Sequence, residues 1–170
     1  HDYAIPLFGD ERRWDLGALG WNPAAGRHSV VLTFDSFGGA WNLRARELAM
    51  ALLNPVHTVL RDQMLYLQAT HAHPKTIRSK LEGLKHFAVW HAANLPDLPI
   101  TDLHQSHLDH FLADSKAVGI HFRTRQTIDA IRELHTYEAV LTGGGIPFRP
   151  WGDATTIALS GRKSNTELST

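Results

Sequence analysis

A hydrophobic repeat of helical period runs through the middle of the chain and constrains its fold more than any other feature. In the clearest instance, which follows His73-Pro74, apolar side chains recur every three or four residues at Ile77, Leu81, Leu84 and Ala88, and His91 continues the spacing. This spacing brings them to one face of a helix that ends near Asn94. Weaker repeats predict four more helices. Two lie over about 40–53 and 55–69, the third is capped by Thr101 and Asp102 and ends near Val118, and the last lies over 123–141.

The two ends of the chain lack this repeat. Glycines punctuate the first 40 residues and predict turns and loops, with a β-branched strand at about 29–34. We expect Trp14, Leu16, Leu19 and Trp21 to pack this arm onto the body, and residues 146–170, rich in Ser and Thr, to form a linker. The predicted fold class is therefore mainly α: a small bundle of four to five helices with an N-terminal loop and strand arm. Its segments are an arm over 1–55, a helical domain over 56–145 and a tail over 146–170.

The composition excludes several classes of function. The chain has no cysteine, which removes disulfides, thiolate metal sites and cysteine nucleophiles and fits a reducing cytoplasm. No apolar run approaches the roughly 18 residues of a membrane span, so no membrane partner is expected. The nucleophile elbow, the P-loop and the zinc-protease motif are all missing from the sequence. The sequence therefore predicts neither catalytic residues nor a cofactor.

The 12 histidines raise the possibility of a metal site. His104, His107 and His110 are three residues apart, but on a helix the outer two would be about 9 Å apart along the axis and about 120° apart in direction. Three imidazoles placed in this way cannot share one ion at bond lengths of about 2 Å. We therefore predict no metal ligands, and a small metal-dependent regulator is retained only as a third class of function.

The helix that follows Pro74 carries a basic face. Six polar side chains fall within an arc of about 120° opposite the apolar stripe: Lys75, Arg78, Ser79, Glu82, Lys85 and His86. Residues 71–94 have a net charge of +3 and residues 95–118 a net charge of −3, although the whole chain is neutral. Phosphate oxygens favour such a set of cations and short polar groups, whereas the plainer interpretation is a solvated helix face. Lys80 lies on the flank and is expected to snorkel.

The last helix has a weaker basic signal. Arg125 and Arg132 are seven residues apart on one face, and Arg123 and Thr124 lie at the N-terminus, where the helix dipole favours phosphate. The alternative is an ion pair between Arg125 and Asp129, one turn apart.

The order of motifs from about residue 59 to 151 resembles the core-binding domain of the tyrosine recombinases, or phage integrase family, a SAM-like helical bundle that clamps duplex DNA. Residues 62–67 resemble its short lead-in helix, and the other matching segments are HPKTIR (73–78), LKHFAVW (84–90), PITDL (99–103), LDHFL (108–112), RTRQTI (123–128) and AIRELHTY (130–137). The resemblance covers just over half of the chain. The family's catalytic Arg, Lys, His-x-x-Arg and Tyr belong to a separate domain. No His-x-x-Arg occurs here, and Tyr137 is expected to belong to the bundle.

The resemblance implies the DNA-binding part of a site-specific recombinase, with double-stranded DNA as its partner and copies of the full-length enzyme assembling on it. The predicted DNA-binding residues come from the two basic helices: Lys75, Thr76, Arg78, Ser79, Lys85, His86, Arg123, Thr124, Arg125 and Arg132. Most would contact phosphates, while Arg78, Ser79 or His86 could reach bases. The rival class is a protein-interaction module that docks the +3 helix on an acidic partner or on its own −3 segment.

Overall fold

A computed structural model describes residues 13–15, 31–53, 74–119 and 121–160. Over these residues the fold is mainly helical, which confirms the predicted fold class. The helices are α1 (Ala40–Leu53), α2 (Pro74–Asn94), α3 (Gln105–Ala117), α4 (His121–Thr136) and α5 (Thr156–Ser160). α1 and α2 agree with the predictions from the apolar repeat. The predicted helix over 55–69 lies outside the described residues.

A small antiparallel ribbon precedes the helices. β1 (Arg13–Asp15) pairs with β2 (Val31–Thr33) so that Trp14 lies opposite Leu32. Both side chains are buried, and the Trp14 ring lies 4.8 Å from that of Phe34. The strand therefore falls within the predicted range, and Trp14 packs onto the body as expected; Leu16, Leu19 and Trp21 lie outside the described residues.

One hydrophobic core joins the ribbon, α1 and the bundle. Phe87 of α2 is fully buried at its centre, and its ring lies 5.9 Å from Trp41 of α1 and 5.0 Å from Phe111 of α3, both edge to face. Leu32 and Phe34 belong to the same cluster. Because aromatic pairs of this kind add to ordinary apolar burial, the arm and the bundle stabilise each other.

α2 and α4 cross in backbone contact. Gly83 of α2 lies against Gln126 and Thr127, in the second turn of α4, where a Cβ atom would come within 2.6 Å of the Thr127 nitrogen. Half-buried Lys80, three residues before Gly83 in α2, forms an ion pair with Glu133, six residues after Thr127 in α4. The pairing gives Lys80 a role in packing, and the crossing brings the second turn of α4 beside the middle of α2.

The helix boundaries differ from the predictions at two places. Thr101 and Asp102 lie in a separate 3-10 turn (Ile100–Asp102), and α3 begins later, behind a capping box formed by His104 and His107. α4 stops at Thr136 and is followed by a second 3-10 turn, Glu138–Val140. Behind that turn, Gly145 is packed against the carbonyl oxygen of Leu134, which leaves no room for the helix to continue along its axis.

Residues 146–160 pack on the bundle instead of forming the linker expected from their composition. The Trp151 nitrogens donate to Gln105 Oε1 at 2.6 Å and to Asp109 Oδ1 at 3.0 Å, both on α3. Ser160, at the end of α5, is fully buried. This segment has no hydrophobic periodicity, and its packing depends on side chains far away in the sequence. Its own residues therefore could not predict that it packs on the bundle.

Candidate nucleic-acid interface

The exposed face of α2 carries three basic side chains in line. Lys75, Arg78 and Lys85 are exposed, and they are separated by three and seven residues, so they lie along one side of the helix. The stripe is about 15 Å long at 1.5 Å per residue, which equals about four base-pair steps of rise along the DNA axis at 3.4 Å each. We call Lys75, Arg78, Glu82 and Lys85 the basic stripe, since its net charge is +2.

Arg78 and Lys85 are available for an external ligand. Within the part of the chain that the structure describes, neither makes a hydrogen bond or an ion pair. Glu82 lies between them and forms no ion pair with either. Exposed, unpaired cations on a rigid helix bind anions at little cost in side-chain packing.

The N-terminal arm adds hydroxyl groups to the basic stripe. A groove of about 180 Å³ lies between α2 and the segment after β2, and it is lined by Thr33, Ser36, Phe37, Arg78, Leu81, Glu82 and Lys85. Thr33 and Ser36 are exposed, and hydroxyls of this kind commonly accompany Arg and Lys at phosphates. The sequence offered no signal for these two residues, because only the folded arm places them beside α2.

The remaining candidates on α2 have different environments. Thr76 is exposed at the start of the helix and Ser79 is half-buried. The His86 Nε2 atom lies 3.1 Å from Ser115 Oγ on α3, and its ring lies 5.4 Å from that of Phe111. His86 therefore fastens α2 to α3, and reading bases with this side chain would require the contact with Ser115 to break.

The arginines of α4 are not equivalent. Arg125 is exposed and lies two residues before Thr127 at the crossing with α2. The alternative, an ion pair between Arg125 and Asp129, is not formed among the described residues; instead Asp129 Oδ1 accepts a hydrogen bond from Thr156 Oγ1 at 3.2 Å. The side chains of Arg123 and Thr124 lie outside the described residues, although their backbone belongs to the first turn of α4.

Arg132 holds the C-terminal segment. Its guanidinium donates to the carbonyl oxygens of Pro150 at 3.1 Å, Gly152 and Ala154, and to Thr156 Oγ1 at 3.3 Å. Burial, followed by the nearby charge of Arg149, lowers the pKa of Arg132, while Asp129 and Asp153 act in the opposite direction. With these four acceptors its donors are largely used, so we leave Arg132 out of the proposed interface.

Tyr137 packs against the core, as expected for a residue of the bundle. Burial, with a smaller contribution from Glu133, raises the pKa of Tyr137 to about 12. A phenol of that kind stays protonated at neutral pH and is a poor nucleophile.

Two further properties bear on the class of protein. No described helix has the combination of length and apolar character that crossing a membrane requires. Among the described residues, no group of three or more His, Asp or Glu side chains is arranged to hold a metal ion. The rings of His104 and His107 are instead stacked, with centroids 5.5 Å apart at the start of α3.

Comparisons of the chain with protein-family models, with curated proteins and with solved structures gave no match.

Proposed function

We propose that this chain is a DNA-binding module that holds the sugar-phosphate backbone of duplex DNA on the basic stripe of α2. The observation that carries the proposal is the pair Arg78 and Lys85: both are exposed and unpaired among the described residues, and both line one groove with Thr33 and Ser36. Arg125, beside the α2–α4 crossing, supplies a further cation.

The order of the sequence motifs indicates the biological process in which this DNA binding would take part. Its resemblance to the core-binding domain of tyrosine recombinases supports a role in site-specific recombination or integration, with catalysis in a domain outside this chain. On this proposal the full-length protein acts in the cytoplasm, and several copies assemble on paired DNA sites. Phosphate contacts fix the register of such a clamp but carry little sequence information.

The first test is a fluorescence-polarisation titration with random-sequence duplex DNA at two salt concentrations. Affinity should fall log-linearly with salt, by about 0.9 units of slope per phosphate contact. The double variant Arg78→Ala/Lys85→Ala should lower this slope by about 1.8 units and weaken binding to all sequences alike.

A charge-matched control separates the effect of the basic stripe on DNA affinity from the effect of net charge. Lys116→Ala/Arg149→Ala removes two positive charges from α3 and from the C-terminal segment, where Arg149 is paired with Asp153. This control should bind DNA almost as well as the unchanged protein. Equal losses in both double variants, or no binding by the folded protein at low salt, would refute the proposed interface.

Two further experiments distinguish DNA from other ligands of the basic stripe. Glu82→Gln removes the carboxylate from the groove and should tighten DNA binding severalfold, because a negative charge beside the phosphates is lost. Poly-glutamate represents the rival class, an acidic protein partner. If it displaces DNA at equal charge concentration, the basic stripe is a general acidic-partner surface and the DNA proposal fails.

A further inference from the structure

A second site lies on another side of the bundle, in a cavity of about 360 Å³. Its walls come from α1, the last turn of α2 and the loop that follows, and they include Trp41, Arg44, His91, Asp97, Leu98 and Pro99. The volume falls within the range of small-molecule pockets, and the mixture of apolar walls with a few polar groups is typical of them. None of these residues belongs to the basic stripe.

Arg44 is the unusual feature of this cavity. Its Nε atom is buried without a hydrogen-bond partner, and no ion pair to Arg44 is found among the described residues. The guanidinium carbon lies 4.5 Å from the centre of the Trp41 ring. A buried donor without an acceptor is costly, and most such groups in proteins are satisfied. The two Nη groups of Arg44 are not buried in this way and make no hydrogen bond among the described residues, so an anion in the cavity can accept from them.

Arg44 is the fixed positive charge of this cavity. Burial lowers the pKa of Arg44, and Glu47 opposes this from the same helix, but a guanidinium keeps its proton. His91 Nε2 lies 2.7 Å from the Leu98 carbonyl oxygen, so this nitrogen carries a proton and donates it. Trp41 lies 5.7 Å from the His91 ring, edge to face. The site thus combines one fixed cation with aromatic walls.

We propose that this cavity binds a small organic carboxylate, whose charged group accepts from Arg44 and whose apolar body lies against Trp41 and the proline-containing loop. A single guanidinium matches the geometry and charge of one carboxylate. A doubly charged phosphate fits less well, because exposed Asp97 lines the same cavity and would repel it.

Benzoate, acetate and inorganic phosphate serve as probes, followed by the ¹H–¹⁵N resonances of the arginine Nε–H groups in the unchanged protein. Benzoate should shift the Arg44 resonance saturably, with a dissociation constant of about millimolar for so small a fragment. Acetate and phosphate should bind at least about tenfold more weakly than benzoate. Acetate lacks the apolar body, and phosphate carries an unsuitable charge. Arg46, on the same helix, is the internal reference, because its Nε already donates to Asn42 Oδ1 at 2.8 Å.

Variants then decide the role of Arg44. Arg44→Lys keeps the charge but lacks the forked donor, and it should weaken benzoate binding by about tenfold or more. The matched variant Arg46→Lys should leave binding unchanged. Absence of a saturable shift at Arg44 in the unchanged protein would overturn the proposal even if Arg44→Lys fails to fold. Equal affinities for benzoate and acetate, or equal losses in the two lysine variants, would also overturn it.

Asp97→Asn tests the remaining possibility, that Asp97 itself reaches Arg44 in solution. Because it removes a repelling charge, this variant should tighten benzoate binding and leave the melting temperature unchanged. A lower melting temperature in Asp97→Asn would identify Asp97 as the partner of Arg44 and contradict the ligand site.

Discussion

Replacement of Gly83 by alanine tests the backbone contact between α2 and α4. An alanine Cβ would lie 2.6 Å from the nitrogen of Thr127, 2.7 Å from its Cα and 2.7 Å from the carbonyl carbon of Gln126. All three are backbone atoms, so no side-chain rotation relieves the overlap, and the two helices must separate by several tenths of an ångström. The change therefore loosens the pair of helices that makes the most extensive contact among the described elements.

The expected change in the free energy of unfolding combines two opposing contributions. Overpacking in a rigid interior costs about 1–3 kcal/mol, and contact with backbone atoms favours the upper end of that range. Alanine is favoured over glycine in a helix interior by about 1 kcal/mol. The free energy of unfolding should therefore fall by about 1–2 kcal/mol in Gly83→Ala.

Urea denaturation followed by circular dichroism measures this change against a matched glycine. A Cβ on Gly38, before α1, would meet no atom within 4 Å, so Gly38→Ala should be neutral or stabilise by about 0.4–1 kcal/mol. If Gly83→Ala is as stable as Gly38→Ala, the close crossing of α2 and α4 does not exist.

Three further changes test other contacts. Burial, above all, lowers the pKa of His91 below its usual 6.5, so the unfolded state binds more protons below that pH and the free energy of unfolding falls as the pH drops from 7 to 5. His91→Gln, which can still donate to Leu98, should reduce this fall by up to about 1.4 kcal/mol per pH unit. Identical pH profiles of the two proteins in urea titrations would contradict this. Arg132→Met should speed amide hydrogen exchange in residues 149–160 by about tenfold or more while sparing α4; unchanged exchange would show that Arg132 does not hold the segment. Gly145→Ala should lower the free energy of unfolding by about 1–3 kcal/mol, since its Cβ would lie 2.1 Å from the Leu134 oxygen, and a urea midpoint equal to that of the unchanged protein would exclude that clash.

The helices that bury one strong apolar face could be predicted from the sequence alone. α2 begins at Pro74 and ends at Asn94 as its repeat indicates, because burial of Ile77, Leu84 and similar side chains fixes both its period and its exposed face. The basic stripe follows from the same geometry, since whatever is opposite the buried face is exposed.

Features that depend on distant contacts could not be predicted. The cap of α3 uses His104 and His107, which are not typical capping residues. Arg132 resembled a phosphate ligand until the C-terminal segment, with no period of its own, was found to supply its acceptors. Likewise, nothing in the spacing of Trp41, Arg44 and His91 reveals that α1 and α2 bring them to one cavity.

The most direct test of the basic stripe is a ¹H–¹⁵N titration of the protein with a short random-sequence duplex, mapped residue by residue. DNA binding on α2 predicts the largest shifts at Arg78 and Lys85 and in the neighbouring segment 33–36, with little change in α3. Shifts centred on the acidic residues 95–118 or on Arg149, with residues 75–85 unmoved, would contradict it.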